Sequence, residues 1–344
     1  MLNSDKARKK TLRLAINGFG RTGRAATRIA LENPQIEVVA INSKADAKNY
    51  AYLLKYDSLY GSYNHTVEAV DDHTISVDGR KIKVFSQDED KMPWQGLEID
   101  IVLESSGKFT KREKAEIHLR DGAKRVIIGA PAKDDVETFV MGVSEKKFDP
   151  QKHFIVSNAS CTTNCLAPLA MILDRELGIV KGYMTTAHAY TNDQRLHDNS
   201  HKKDLRRARA ATYSIIPTST GAATAIGLVL PQLKGKLDGI SLRVPVPVVS
   251  LVDLTVETKK STTAKEVNKL FYQYERGELR GILGTSDEPL VSVDFKGDSR
   301  SSIVDTQLTR VVGGNLVKVF SWYDNEWGYA ARTIDLALYM YQHS

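Results

Sequence analysis

Residues 11–41 contain Thr11-Leu-Arg-Leu-Ala-Ile16, then Asn17-Gly-Phe-Gly-Arg-Thr-Gly23, a helical run from Arg24 to Leu31, and, after Asn33-Pro34, the apolar run Ile36-Glu-Val-Val-Ala-Ile41. This is strand, glycine turn, helix, strand, the order of a parallel β-α-β unit. Gly18 suits the tight turn, Gly20 lets the backbone approach a pyrophosphate, and Gly23 lets the helix pack on the strand. The helix start would receive the phosphates. The stretch predicts an α/β, dinucleotide-binding first domain.

The end of the second strand bears on the cofactor. Dinucleotide binders of the NAD type place an acid about 20 residues after the glycines, on the ribose 2′-hydroxyl. Here the residues are Asn42-Ser43-Lys44. A serine beside a lysine tolerates a 2′-phosphate, which favours NADP, with NAD possible. The plainer role of Ser43 is to cap the next turn.

Further along, Asp78-Gly79 reads as a hairpin turn between Thr74–Val77 and Lys81–Phe85. Asp100–Glu104 reads as a strand ending in Ser105-Ser106-Gly107, Lys111–Arg120 as a helix, and Arg125–Ile128 as a strand ending in Gly129-Ala-Pro131. Ligands bind beyond the carboxyl ends of such strands, so Ser105, Ser106 and Gly107 should border the cofactor.

A second decisive stretch is Ser157-Asn-Ala-Ser-Cys-Thr-Thr-Asn-Cys-Leu166. A strand-like run precedes it and a helical run follows. Asn158 and Ser160 are good N-cap types. Cys161 would then lie at a helix N-terminus, where the dipole lowers a thiol pKa and favours the nucleophilic thiolate. On this stretch alone a buried core cysteine is equally compatible. Cys165, one turn on, reads as packing.

His188 ends the strand-like run Val180–Thr186 and is the candidate partner for Cys161. Asn192–Tyr213 is a long polar stretch without periodicity. Strands are expected near Gly239–Arg243, Ser250–Glu257, Leu290–Asp294 and Leu316–Tyr323, with helices over Thr263–Tyr274 and Glu326–Tyr341. Ser160, Thr162, Thr191, Thr220, Gly221 and Arg243 are the residue types that hold phosphate.

The 344 residues are 42% hydrophobic and 26% charged, with net charge +6. This is ordinary globular composition, long enough for two domains. Two cysteines exclude a disulfide framework and a four-thiolate zinc site, and no metal is expected. No stretch approaches the ~20 apolar residues of a membrane span. Residues 1–10 carry charges without an apolar core, which suggests a flexible tail and a cytoplasmic location. The basic cluster His201–Arg209 has no interleaved aromatics, which argues against nucleic acid.

The chain resembles the phosphorylating glyceraldehyde-3-phosphate dehydrogenases over nearly its whole length. The resemblance rests on the motifs at 16–21, 54–58, 157–165, 217–223, 242–245 and 322–329, the last reading Trp-Tyr-Asp-Asn-Glu-Trp-Gly-Tyr. It implies a Rossmann dinucleotide-binding domain over 1–160 and an α+β catalytic and oligomerisation domain over 161–324, with a mixed, mostly antiparallel sheet. Residues 325–344 would form a helix packing back on the first domain. The implied activity is reversible oxidative phosphorylation of D-glyceraldehyde 3-phosphate to 1,3-bisphosphoglycerate with NAD(P). Cys161 would be the nucleophile and His188 the acid–base. Thr191, Asp193 and Arg243 would hold the substrate phosphate; Ser160, Thr162, Thr220 and Gly221 would meet inorganic phosphate.

The cofactor set would be Asn17, Gly18, Phe19, Gly20, Arg21, Thr22, Gly23, Asn42, Ser43, Lys44, Ser105, Ser106 and Gly107. Asn199 and Ser200 of the long loop would reach a neighbour's site in a homotetramer, and Asn325 and Tyr329 would serve the nicotinamide end. Ser43 stands where NAD-specific members have Asp, and Asn199-Ser200 where they have Leu-Pro. Both departures resemble NADP-using photosynthetic members. Lys202-Lys203 adds a residue to the loop, Thr22 replaces the usual isoleucine, and Val248 replaces an asparagine. Erythrose-4-phosphate dehydrogenase, which hydrolyses its thioester, is the alternative within the class; a cofactor-free cysteine–histidine hydrolase and a nucleic-acid-binding protein are the alternatives outside it.

Overall fold

A computed structural model describes residues 11–87 and 90–344; the tail expected over 1–10 lies outside them. The chain forms two compact units. The first comprises the chain up to Val136 with Asp149–Val156 and Ala337–Ser344, the second Glu137–Phe148 and Ser157–Leu336.

The first unit is built on an eight-stranded sheet. Its order is Ile155–Ser157, Arg125–Ile128, Ile101–Glu104, Leu12–Asn17, Ile36–Asn42, Arg80–Phe85, Thr74–Val77 and Val67–Asp71. The inner strands pair in parallel. The central strands Leu12–Asn17 and Ile101–Glu104 are mostly apolar because both faces are covered: Leu12, Leu14, Ala15 and Ile16 are all buried. Leu12–Asn17 sits between the strand that follows it and one from much later in the chain, and this reversal opens a crevice at its carboxyl end.

The predicted hairpin is present. Asp78 (φ 47°) and Gly79 (φ 80°) occupy the left-handed region that a two-residue turn demands. The helix Ala47–Lys55, which the sequence reading did not anticipate, starts at Asp46, whose side chain accepts from the Asn49 N–H.

The second unit carries the expected mixed, mostly antiparallel sheet. Its order is Ile216–Ser219, Leu237–Val244, Ile179–Ala189, Ser250–Thr258, Leu316–Tyr323, Ser302–Asp305 and Leu283–Ser286. Only Ile179–Ala189 with Leu237–Val244, and Leu283–Ser286 with Ser302–Asp305, run parallel. Ser250–Thr258 alternates buried and half-buried residues without a break. One sheet face packs on the helix Cys161–Leu177, through Leu166, Leu169 and Leu173 against Val252, Leu254, Val317 and Val319. Burial of this face stabilises the unit at about 25 cal/mol per Å² of apolar surface removed from water.

One expected strand is absent. Leu290–Asp294 is a loop entering a single 3₁₀ turn, Ser292–Phe295, closed by Asp294 accepting from the Val291 N–H. Val291 and Val293 are 58% and 63% exposed, so the alternation that suggested a strand has no apolar side to bury. The long polar stretch holds one 3₁₀ turn, Leu205–Ala208, started by Asp204.

Candidate functional site

The helix Cys161–Leu177 begins where the sequence suggested, with Ser160 as its cap: Ser160 Oγ accepts from the Thr163 N–H at 3.0 Å. Asn158 is no cap. It is fully buried, and its Nδ2 donates to Thr333 Oγ1 at 2.9 Å. Between them Ala159 has φ 55°, an uncommon region for alanine, held by the Tyr329 hydroxyl donating to its carbonyl at 3.0 Å. This bend turns the chain so that Cys161 opens the helix.

His188 lies on the strand Ile179–Ala189, 4% exposed. Its Nε2 is 3.4 Å from the Cys161 sulfur. On the other side of the ring, Nδ1 is 2.7 Å from the Ala189 carbonyl and 2.8 Å from Arg243 Nη1. Nδ1 thus meets both an acceptor and a donor: in the tautomer that gives Nδ1–H to Ala189, Nε2 keeps its lone pair for the thiol, and in the other Nδ1 accepts from Arg243. Parallel pairing sets His188 and Arg243 side by side. Arg243 Nη1 lies within donating distance of Ala189 O and Thr191 Oγ1, whereas its buried Nε has no partner among the described residues. An anion with several acceptor oxygens would satisfy it.

Electrostatics correct one expectation. Burial pushes the Cys161 thiol up, and this outweighs the lowering by Arg243, Thr162 and backbone N–H groups. The helix start does act downward, but it does not win. Burial, then Arg243, pushes His188 down to about 3. Each charged form is disfavoured alone. Moving one proton from Sγ to Nε2 creates both charges together, where they stabilise each other.

Tyr323 was not singled out from the sequence as a site residue. Fully buried, its hydroxyl bonds Thr162 Oγ1 at 2.8 Å and Thr186 Oγ1 at 2.9 Å, and its ring meets His188 edge-on at 6.0 Å. It ties the Cys161 helix to the His188 strand. Asp193 accepts from the Thr191 hydroxyl and pairs with Arg207, another residue with no site role in the sequence reading. Despite partial burial these contacts and Arg243 hold the Asp193 carboxyl below its usual range. Gly221 caps the helix Ala222–Val229 without a side-chain bond, and Thr220 Oγ1 accepts from Ala222 N–H at 3.2 Å. Asn325, 7% exposed, accepts from Ser250 Oγ at 2.9 Å, and Ser250 Oγ also accepts from the Ala189 N–H. Asn199 and Ser200 are exposed in the long loop, where Asn199 N–H bonds Ala208 O and Ser200 O accepts from Arg195.

The first unit has its own cleft at the crevice. Asn17, Gly18, Phe19, Gly20, Asn42, Ser43, Lys44, Ser105 and Ser106 line it, together with Ser86, Gln87, Met92, Lys108 and Phe109, which the sequence reading did not single out. Gly18 has φ 98°, and a Cβ there would stand 2.4 Å from the Ser106 nitrogen. A Cβ on Gly23 would stand 2.2 Å from the Gly18 carbonyl oxygen, which is the close packing foreseen. At Gly20 a Cβ would meet nothing within 4 Å, leaving a cradle for a ligand above the helix start. Thr22 lies in that first turn. The Arg21 guanidinium is committed to Asp57 and Tyr60. Gly107 (φ 76°) carries the chain out of the Ser105-Ser106 turn. Ser43 Oγ accepts from the Phe19 N–H at 3.3 Å, so it touches the glycine turn as well as the cleft. Among the described residues no acid lines the cleft. A glycine cradle, a helix start and hydroxyl and amide groups fit a dinucleotide.

One unit thus has the construction of a nicotinamide-dinucleotide binder, and the other holds a thiol–imidazole pair beside anion-binding groups. The family model for the glyceraldehyde 3-phosphate dehydrogenase NAD binding domain matches residues 12–112, and that for the C-terminal domain matches residues 160–325. Glyceraldehyde-3-phosphate dehydrogenase of Geobacillus stearothermophilus is 54% identical over 96% of this chain and 98% of its own. The second such enzyme of Trichormus variabilis is 53% identical over 95% and 97%. The chloroplastic glyceraldehyde-3-phosphate dehydrogenase GAPB of Arabidopsis thaliana is 55% identical over 95% of this chain and 74% of its own. The chain belongs to the glyceraldehyde-3-phosphate dehydrogenase family.

Proposed function

We propose that the protein catalyses the reversible oxidative phosphorylation of D-glyceraldehyde 3-phosphate to 1,3-bisphosphoglycerate, with Cys161 carrying the acyl group. The observation that carries this is the 3.4 Å contact between Cys161 Sγ and His188 Nε2 at a helix start, with Arg243 beside it. The sulfur adds to the aldehyde carbon and the aldehyde oxygen gains a proton, giving a hemithioacetal. His188 Nε2 then takes the hydroxyl proton as hydride departs, leaving a thioester on Cys161. A phosphate oxygen attacks the thioester carbonyl, the C–S bond breaks, and the acyl phosphate leaves. The dinucleotide supplies the hydride acceptor when bound.

Arg243 and Thr191 hold the substrate phosphate. Asp193, a carboxylate, serves by fixing Thr191 and Arg207 rather than by touching an anion. Ser160, Thr162, Thr220 and Gly221 receive inorganic phosphate, using hydroxyls and helix N-termini. NADP is the favoured dinucleotide, supported by Ser43 at the glycine turn and by two lysines, Lys44 and Lys108, in a cleft without an acid among the described residues. Asn325 and Tyr329 serve the nicotinamide end, and Asn199 and Ser200 a neighbour's site. A cytoplasmic homotetramer is the assembly we infer. It is supported by the uncovered sheet face of the second unit, where Tyr183 is 49% exposed and Leu251 and Phe320, further along the same face, are half-buried.

The test compares initial rates with NAD and NADP, for glyceraldehyde 3-phosphate and erythrose 4-phosphate, with and without inorganic phosphate. Steady turnover only with phosphate and glyceraldehyde 3-phosphate supports the reading. Phosphate-independent turnover of erythrose 4-phosphate would replace it.

A further inference from the structure

Behind the dinucleotide cleft lies a buried polar network with no part in the scheme above. Glu104 ends the strand Ile101–Glu104 and is 2% exposed. Its carboxylate fills four acceptor positions. Oε1 accepts from the Ser106 N–H at 2.7 Å and the Ser106 hydroxyl at 2.5 Å. Oε2 accepts from Asn17 Nδ2 at 2.5 Å and from the His118 ring at 3.2 Å. With every position used as an acceptor, the group is the ionised carboxylate.

His118 is fully buried, and its Nδ1 faces Trp94 Nε1 at 3.0 Å. An indole N–H can only donate, so Nδ1 carries the lone pair and the ring proton sits on Nε2, aimed at Glu104. The amides downstream are then fixed. Asn17 gives its Nδ2 to Glu104 and accepts at Oδ1 from Asn42 Nδ2 at 2.9 Å. Asn42 Oδ1 accepts from the Gln87 N–H at 2.9 Å. Asn17, Asn42, Gln87 and Ser106 all line the cleft. Phe109, another lining residue, packs on the His118 ring with centroids 5.2 Å apart.

We propose that Glu104 and His118 are positioning residues for dinucleotide binding. The buried carboxylate accepts the hydrogen bond of the Ser106 hydroxyl, so Ser106 Oγ, which also accepts from the Lys108 N–H, has only a lone pair left for the ligand, suited to a ligand hydroxyl or amino group. The same charge holds Asn17 and Asn42 in one orientation. Trp94, by holding the His118 tautomer, keeps an N–H donor on that charge. A buried carboxylate costs stability unless it is fully hydrogen-bonded, so its orienting effect on four cleft residues is its distinguishing contribution. This inference rests on the proposed dinucleotide site.

The test measures dinucleotide dissociation constants of the full-length protein by calorimetry, together with kcat at saturating dinucleotide and the KM of the aldehyde. In Glu104→Gln an amide N–H₂ must face another donor. We expect the dissociation constant to rise about tenfold or more, the scale of one buried polar group left unpaired, with kcat and the aldehyde KM within about twofold. His118→Gln, which can still donate to Glu104, stays near wild type, whereas His118→Leu weakens binding; this pair keeps the test decisive if Glu104→Gln fails to fold. Dinucleotide binding equal to wild type in Glu104→Gln or His118→Leu, even with a lowered Tm, overturns the inference alone. A wild-type protein that binds neither NAD nor NADP overturns the site itself.

Discussion

The sulfur of Cys161 and Nε2 of His188 stand 3.4 Å apart, one opening a helix and the other near the end of a strand. Their separation is that of a proton transfer, and burial holds both groups neutral until the transfer occurs. Replacing the thiol while keeping its size tests its role. Cys161→Ser should lose more than about a thousandfold in turnover, since an alcohol is a far weaker nucleophile at neutral pH. Dinucleotide binding, measured by calorimetry, should remain. Retained turnover would remove Cys161 as nucleophile.

His188 gives two pH readouts. Without its imidazole to take the proton, the thiolate of Cys161 loses a partner, so His188→Asn should move the alkylation profile to higher pH. An unmoved profile would count against the pairing. Stability carries the second readout. The folded state holds His188 near 3 against an ordinary 6.5, so between these values the unfolded chain binds a proton that the folded one does not. The contribution is complete above pH 6.5 and is lost as pH falls towards 3. The fall in Tm over that window should be shallower in His188→Asn than in wild type.

Ser43 accepts from the Phe19 N–H at the mouth of the cleft. Ser43→Asp puts a carboxylate where a 2′-phosphate would come, and the NADP/NAD ratio of kcat/KM should fall by at least about tenfold, the scale of one unfavourable charge contact. An unchanged ratio would remove Ser43 from cofactor choice.

The Tyr323 hydroxyl satisfies Thr162 and Thr186 together inside the core. Tyr323→Phe leaves both threonine hydroxyls short of a partner, at about 1–3 kcal/mol. Thermal unfolding should show this as a lowered Tm. The KM for inorganic phosphate should rise, because Thr162 loses its anchor. A variant with unchanged Tm and phosphate KM would contradict this role.

What could be read from the chain in advance was local. Gly18 at φ 98°, Ser160 as cap and Asp78-Gly79 as turn follow from the backbone needs of single residues. The apolar inner strands were legible because both faces are buried. Leu290–Asp294 misled because its valines alternate yet face solvent. Val67–Asp71 was invisible because it is an edge strand with scarcely any buried face. The Cys161 pKa direction was misjudged because burial is set by distant parts of the chain, whereas the helix start is not. Tyr323 lies 161 and 137 residues from the threonines it holds, and no spacing announces it.

The pairing of His188 with Arg243 depends on register. Their strands run in the same direction, and residue by residue Thr185 meets Ile240, Thr186 meets Ser241, Ala187 meets Leu242. Deleting one residue near the start of Leu237–Val244 would bring Leu242 or Val244 to His188 and turn the guanidinium to the opposite face. The strand is therefore closed to insertions and deletions, whereas the exposed loop at Lys202-Lys203 can absorb length.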